Sequence, residues 1–205
     1  MSGLILENLV KSFEGKRILD GVNYAFPERG LFLILGESGG GKTTLLRMIA
    51  GLDTDYAGSI TGGGLTAVSM AFQEHRLLPI LTALGNVTEA LLAERLARPV
   101  AEDRARQALL AVGYPASDFN LRPAALSGGM RQRVSLARAF AASRPILLLD
   151  EPEKELDEAL RERLYTRIRE EAARRLVLVV THTPEHLLPY ASGTLTVGVK
   201  FGKNT

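Results

Sequence analysis

The sequence predicts an α/β fold built on a parallel central sheet. Three observations carry this reading. The runs Leu31–Leu35, Ile146–Leu149 and Leu176–Val180 are short and apolar at every position, the pattern of strands buried on both faces. The first two runs are each followed by apolar residues at helical spacing, namely Leu45, Leu46 and Ile49, then Leu160, Leu164 and Ile168. Between the first run and its helix lies Gly36-Glu37-Ser38-Gly39-Gly40-Gly41-Lys42-Thr43, which fits G-x-x-x-x-G-K-[ST] at every fixed position.

That glycine loop sits in the strand-to-helix context its chemistry requires. A phosphate chain needs several backbone N–H groups aimed inward, and residues without a bulky Cβ let the backbone approach. The helix N-terminus adds about half a positive charge. Lys42 supplies a full charge for β- and γ-phosphates, and Thr43 a hydroxyl for Mg²⁺. The alternative is a glycine-rich turn that binds nothing, which leaves Lys-Thr in register without a purpose.

Bulk properties bound the possibilities. The 205 residues suffice for one large or two small domains, and 46% hydrophobic content allows a proper core. A net charge of +2, even with a pI near 9.0, is too small to argue for nucleic acid and fits a weakly basic solvated surface. Cysteine is absent, which excludes a disulfide framework, a thiol nucleophile and Cys metal sites and fits a reducing compartment. No run approaches the roughly 18 apolar residues of a membrane span, and no signal-peptide core is present at the N-terminus. A soluble protein is expected, with any membrane role exerted through a partner.

Residues 4 to 26 read as strands around the turn Glu14-Gly15-Lys16. Phe13, just before the turn, fits two roles, stacking on a base or simple packing. Pro27 to Gly30 turns the chain into the strand at Leu31, and Gly51 is a stop for the helix that follows. Residues 53 to 72, with Gly58 and Gly62-Gly63-Gly64, suggest a hairpin leading to Ala67–Phe72, with Gln73 next. From Leu84 to Val112 the pattern is helical, with Ala105, Ala108, Leu109 and Val112 on one face and Pro99 separating two helices. Gly113 to Pro123 is a loop. Leu126-Ser127-Gly128-Gly129-Met130 then opens a helix with Met130, Val134, Ala137 and Ala141 on one face. Ser127 and the two glycines form either a second anion site or an ordinary N-cap. Asp150-Glu151 ends the second buried strand, where Asp150 could hold Mg²⁺ and Glu151 could position water. Thr181-His182 ends the third, and a closing strand or hairpin is expected over 193–201. No long repeats, low-complexity runs or linkers interrupt the chain.

These residues, taken together, resemble the ATP-binding subunit of ABC transporters over nearly the whole length. The phosphate loop at 36–43, the Gln73 loop, the Leu126–Met130 signature continuing into Arg131-Gln132-Arg133, Ile146–Glu151 as Walker B, and His182 follow the family's order. The loop by itself indicates any NTPase; the signature is specific. Phe72–Pro79 with Leu81-Thr82 and Asn86-Val87 looks most like importers of the nitrate, sulfonate and taurine type. The resemblance implies a P-loop NTPase core with an N-terminal antiparallel β subdomain and an inserted α-helical subdomain, arranged as one domain over 1–205: residues 1–83 and 126–205 for the core with the β subdomain, 84–125 for the helices. It implies that Phe13 stacks on adenine and that residues 36 to 44, including Thr44, bind ATP. It implies that Thr43, Gln73 and Asp150 hold Mg²⁺, that Glu151 polarises the attacking water, with Lys42, Gln73 and His182 completing the catalytic set, and that His182 contacts the γ-phosphate. Ser127, Gly128 and Gly129 would close on the ATP of a second copy, in a head-to-tail homodimer. The helical subdomain would receive a permease at the cytoplasmic face of the membrane, with a solute-binding protein acting indirectly.

The sequence also departs from the family. Glu153-Lys154-Glu155 stands where an apolar residue, a Ser and a small residue usually precede Leu-Asp, which puts the pairing of this segment in question. The stretch from Gly51 to Gln73 is short, and a compact, minimal subunit is expected. Three other readings stay open: a soluble ABC ATPase of ribosomes or DNA, a non-catalytic nucleotide-binding regulator, and a small-molecule kinase.

Overall fold

The computed structural model describes residues 3–62 and 68–198. Two strands open the chain, β1 (Ile5–Phe13) and β2 (Lys16–Ala25), antiparallel and joined by Glu14 and Gly15. Both turn residues have positive φ, 48° and 80°, as the tightest hairpin connections require. Next come β3 (Gly30–Leu35) and α1 (Lys42–Ile49). Gly51, at φ 68°, ends α1 in a Schellman arrangement: its N–H donates to Met48 O and that of Leu52 to Arg47 O. The remaining elements are β4 (Ala57–Thr61), β5 (Val68–Ala71), α2 (Ala83–Leu92), α3 (Arg98–Ala111), α4 (Gly128–Ala141), β6 (Ile146–Asp150), α5 (Glu158–Ala172), β7 (Leu176–Val180) and β8 (Gly193–Thr196).

The strands form two sheets. The smaller is antiparallel, in the order β2-β1-β4; the larger is parallel throughout, in the order β5-β6-β7-β3-β8. The continuous apolar strands are covered on both faces, as their composition requires. Phe32, Ile34, Ile146, Leu148, Leu176, Leu178 and Val180 face one core together with α1 and the small sheet. Leu31, Leu33, Leu147, Leu149, Val177 and Val179 face the other, against α4 and α5. A third core joins α2 and α3 to Leu126, Val134, Ala137 and Ala141 around the start and inner face of α4.

Two expectations are corrected. Residues 53–72 are not a hairpin: β4 pairs with β1, and β5 leaves for the parallel sheet beside β6. Local glycines resemble a tight turn, but the partner of each strand lies far along the chain. Residues 63–67, and 199–201 of the expected closing strand, lie outside the described residues. Pro99 does not separate the helices but occupies the first turn of α3, where its missing N–H costs nothing. Among the described residues no helix is long and apolar enough to cross a membrane.

Arg175 ties the layers together from a buried position. Its guanidinium pairs with Glu171 at 2.7 Å and donates to Ala142 O at 2.8 Å and Arg144 O at 3.1 Å, where the chain leaves α4. Glu171 keeps a second partner, Arg167 at 2.6 Å, but the carbonyls of Ala142 and Arg144 have their hydrogen bonds from Arg175 in a buried setting. Arg175→Met, which leaves those carbonyls without that donor, is therefore expected to cost about 2–4 kcal/mol in urea-induced unfolding.

Candidate functional site

Parallel pairing sets the ends of four strands at one edge of the large sheet. Ile34 lies beside Val180, and Val180 beside Asp150; Ala71 lies beside Leu149. Gly36, Gln73, Glu151 and His182 follow within two residues, so the register itself delivers them to the C-terminal edge, where ligands of open α/β sheets bind.

The phosphate loop is built by close approach. Gly36 has φ 145°, and a Cβ there would lie 2.1 Å from Val197 O. Gly41 has φ 89° and caps α1; a Cβ there would lie 2.9 Å from Leu19 Cδ2, so the loop rests on β2. Gly39 also has positive φ, and the Gly40 N–H donates to Glu37 O at 3.0 Å. Ser38 lies within this turn. The Lys42 side chain is buried, with its ammonium donating to Gly36 O at 2.9 Å and Glu37 O at 2.8 Å. A full positive charge is thus held inside the curve of the loop, at the N-terminus of α1, with Thr44 one turn-position further on.

Two groupings form beside it. Thr43 Oγ1 donates to Asp150 Oδ1 at 3.2 Å, while Asp150 Oδ2 is buried without a hydrogen-bond partner. Burial pushes the Asp150 carboxyl above its ordinary range, only partly offset by the Thr43 hydrogen bond. An orphaned carboxylate oxygen next to a hydroxyl is a hard oxygen donor set, and it suits Mg²⁺, which takes one or two protein oxygens and completes its shell with phosphate and water. In the second grouping Glu151 Oε1 contacts His182 Nε2 at 2.7 Å, and Glu151 Oε2 accepts from Gln73 Nε2 at 3.0 Å. Glu151 takes φ 50°, uncommon for this residue type, and its N–H donates to Val180 O at 2.8 Å. Gln73 thus meets Glu151 and not Thr43.

The signature stands apart from both. Ser127 caps α4, its hydroxyl accepting from Met130 N at 3.2 Å. The layers explain the separation: α1 packs on one face of the central sheet and α4 on the other. Phe13 sits at the hairpin tip, half exposed.

Sequence reading missed what the segment after Glu151 does. Glu153 accepts from the Thr181 hydroxyl at 2.5 Å and from His182 N at 3.4 Å, tying the β6 turn to the end of β7. Glu155, at φ 63°, lies against the signature glycines: a Cβ on Gly128 would come 2.3 Å from Glu155 Oε2, and one on Gly129 2.6 Å from Glu155 O. His75 Nε2 lies 3.5 Å from Glu155 Oε2, and burial holds its pKa below the usual imidazole range. The unusual acidic run was the available signal; its neighbours are distant in sequence.

A raised carboxyl pKa gives a testable sign. Asp150 holds protons more tightly when folded, so its contribution favours folding at acid pH and is lost as pH rises through the folded-state pKa. Asp150→Asn should raise the metal-free melting temperature at neutral pH by about 2–4 °C, the equivalent of about 1 kcal/mol for a chain of this size. The advantage should shrink as pH falls toward the ordinary carboxylate range, followed by calorimetry across pH.

Comparison with known proteins places this geometry. Residues 19–154 match the ABC transporter family. An aliphatic sulfonates import ATP-binding protein SsuB from Delftia acidovorans is 40% identical over 94% of this chain and 78% of its own length. A Fe(3+) ions import ATP-binding protein FbpC from Rhizobium meliloti is 38% identical over 90% of this chain, which spans about half (55%) of that relative. Among solved structures, the ATP-binding cassette MJ0796, in a dimeric post-hydrolysis state bound to ADP and Pi, superposes with a TM-score of 0.87 at 29% identity, covering 95% of this chain and 94% of that one. The chain belongs to the ABC transporter family and has the fold of its ATP-binding cassettes.

Proposed function

We propose that this chain is the ATP-binding and ATP-hydrolysing subunit of an ABC importer, working as a head-to-tail pair on membrane permease subunits at the cytoplasmic face. The observation that carries this reading is the division of the site. Lys42, Thr43, Asp150, Glu151 and His182 gather at one edge of the sheet, while Ser127-Gly128-Gly129 open a helix packed on its other face. A second copy, turned about, brings its own α4 N-terminus to the triphosphate.

Each residue then has a task. Backbone N–H groups of residues 36–44 and the Lys42 ammonium hold the β- and γ-phosphates. Thr43 and Asp150 are placed to hold Mg²⁺, with Gln73 as a further ligand once it leaves Glu151. The metal, when bound, neutralises charge on the β- and γ-phosphate oxygens. Glu151 orients and polarises the attacking water, and His182, already in contact with Glu151, keeps that carboxylate in place and faces the γ-phosphate. The partner's Ser127 hydroxyl and glycine N–H groups close the shell around the transferring phosphoryl group. Closure is favoured by ATP and released by hydrolysis, so the chain converts binding energy into motion by preferring one conformation.

The iron and sulfonate relatives match almost equally well, so what this chain shares with them is the engine and not the cargo. Within that class, the 72–87 stretch supports a small anionic or organic solute of the nitrate, sulfonate or taurine kind, delivered to the permease by a solute-binding protein. A kinase reading gives Ser127-Gly-Gly no nucleotide to close on.

Glu151→Gln should bind ATP, cease turnover and persist as an ATP-bound dimer in light scattering; a monomer at saturating Mg²⁺–ATP would refute the paired site. The Glu155 carboxylate lies beside the α4 N-terminus that receives the partner's nucleotide. Adding Glu155→Ala to Glu151→Gln should therefore tighten the ATP dimer about two- to fivefold in sedimentation, as removal of a like charge near a helix terminus is worth about 0.3–1 kcal/mol.

A further inference from the structure

Phe13 is half exposed at the tip of the β1–β2 hairpin, and one face of its ring meets a cation. The ammonium of Lys11 lies 4.9 Å from the ring centroid, over its face. Lys11 and Phe13 are two apart on a strand and project to the same side. Lys11 is itself buried, 4% exposed, and its ammonium is fixed by three acceptors: Asp53 Oδ1 at 2.9 Å, Asp55 O and Asp55 Oδ2 at 3.3 Å. Those acceptors belong to the loop that leaves the C-terminal end of α1, the helix whose other end carries the phosphate loop.

We propose that Lys11 is a positioning residue for base binding: it clamps one face of the Phe13 ring so that the opposite face is presented, in a fixed rotamer, to the adenine of a nucleotide held on the phosphate loop. The proposal rests on the reading of this chain as an ATP-binding cassette and adds to it a residue that never touches the nucleotide. Two physical effects act together. A buried cation attracts the negative face of an aromatic ring, and more strongly than at a solvated site because little water competes. A ring already held loses less rotamer freedom when a base stacks on it. The Asp53–Lys11 pair also references the ring to α1, so the base platform and the phosphate site keep a constant separation.

The test uses the full chain and two probes, Mg²⁺–ATP and inorganic tripolyphosphate, titrated calorimetrically. Lys11→Met should weaken ATP binding about three- to tenfold and leave tripolyphosphate within about twofold, because the phosphate site is untouched. In a Phe13→Ala background the same substitution should change ATP affinity by less than about twofold, since the ring it acts through is gone. Lys11→Arg, which keeps the cation and the ion pairs, should restore most of the affinity and guards against a variant that fails to fold. Equal losses in both backgrounds, or a parallel loss of tripolyphosphate, would overturn the positioning role in favour of a purely structural one. If Phe13→Ala leaves the ratio of ATP to tripolyphosphate affinity unchanged, base stacking and the Lys11 role fall together, while the phosphate-loop reading stands.

Discussion

The register of the parallel sheet is the constraint from which the site follows. Ile34, Val180 and Asp150 lie side by side, so the residues just beyond them emerge together at one edge. Strands that are apolar on both faces carry little register information in their own pattern, because a shifted strand still buries apolar side chains. The polar residues at their ends supply it. A two-residue shift of β6 into the sheet would carry Asp150 and its charge into the core, away from the Thr43 hydroxyl. At the opposite edge Arg175 donates to the carbonyls just past α4, so both rims of the sheet are pinned by buried polar contacts.

How much of this was legible in the sequence depends on how local each feature is. The phosphate loop, its helix and the cap at Ser127 are settled within a few residues, and the chain spells them out. The three apolar runs read as strands because they are short, dominated by Leu, Ile and Val, and bounded by glycine, proline or polar residues. The segment from 53 to 72 was misread because a strand is defined by its partner, and the partner of β4 lies about fifty residues back. Arg175 and Lys11 were overlooked for the same reason, and the contacts of Glu155 could not be read from the acidic run that contains it: each acts on groups that only folding brings near. Lys11 did leave a trace, a lone cation on the inward face shared with Leu9, which a buried strand admits only when acceptors await it.

The stretch from Glu151 to Glu155 joins features that the sequence presents as separate motifs. Two of its residues take positive φ, which folds the chain back so that three carboxylates point in different directions. Glu151 meets Gln73 and His182, Glu153 meets Thr181 and the His182 backbone, and Glu155 meets the signature glycines and His75. The acidic run that departs from the family's usual composition therefore links the ends of β6 and β7 to the N-terminus of α4. Gly128 and Gly129 are needed for this contact, since a Cβ at either would collide with Glu155.

The central claim is that each nucleotide site is shared between two copies, and mixing two inactive variants tests it most directly. A chain carrying Lys42→Ala keeps its signature; a chain carrying Ser127→Arg keeps its phosphate loop. Neither homodimer has an intact site, but a mixed dimer has one. The account predicts that ATP hydrolysis, absent from each variant alone, returns when the two are combined. Mixed dimers that form and remain inactive would contradict it.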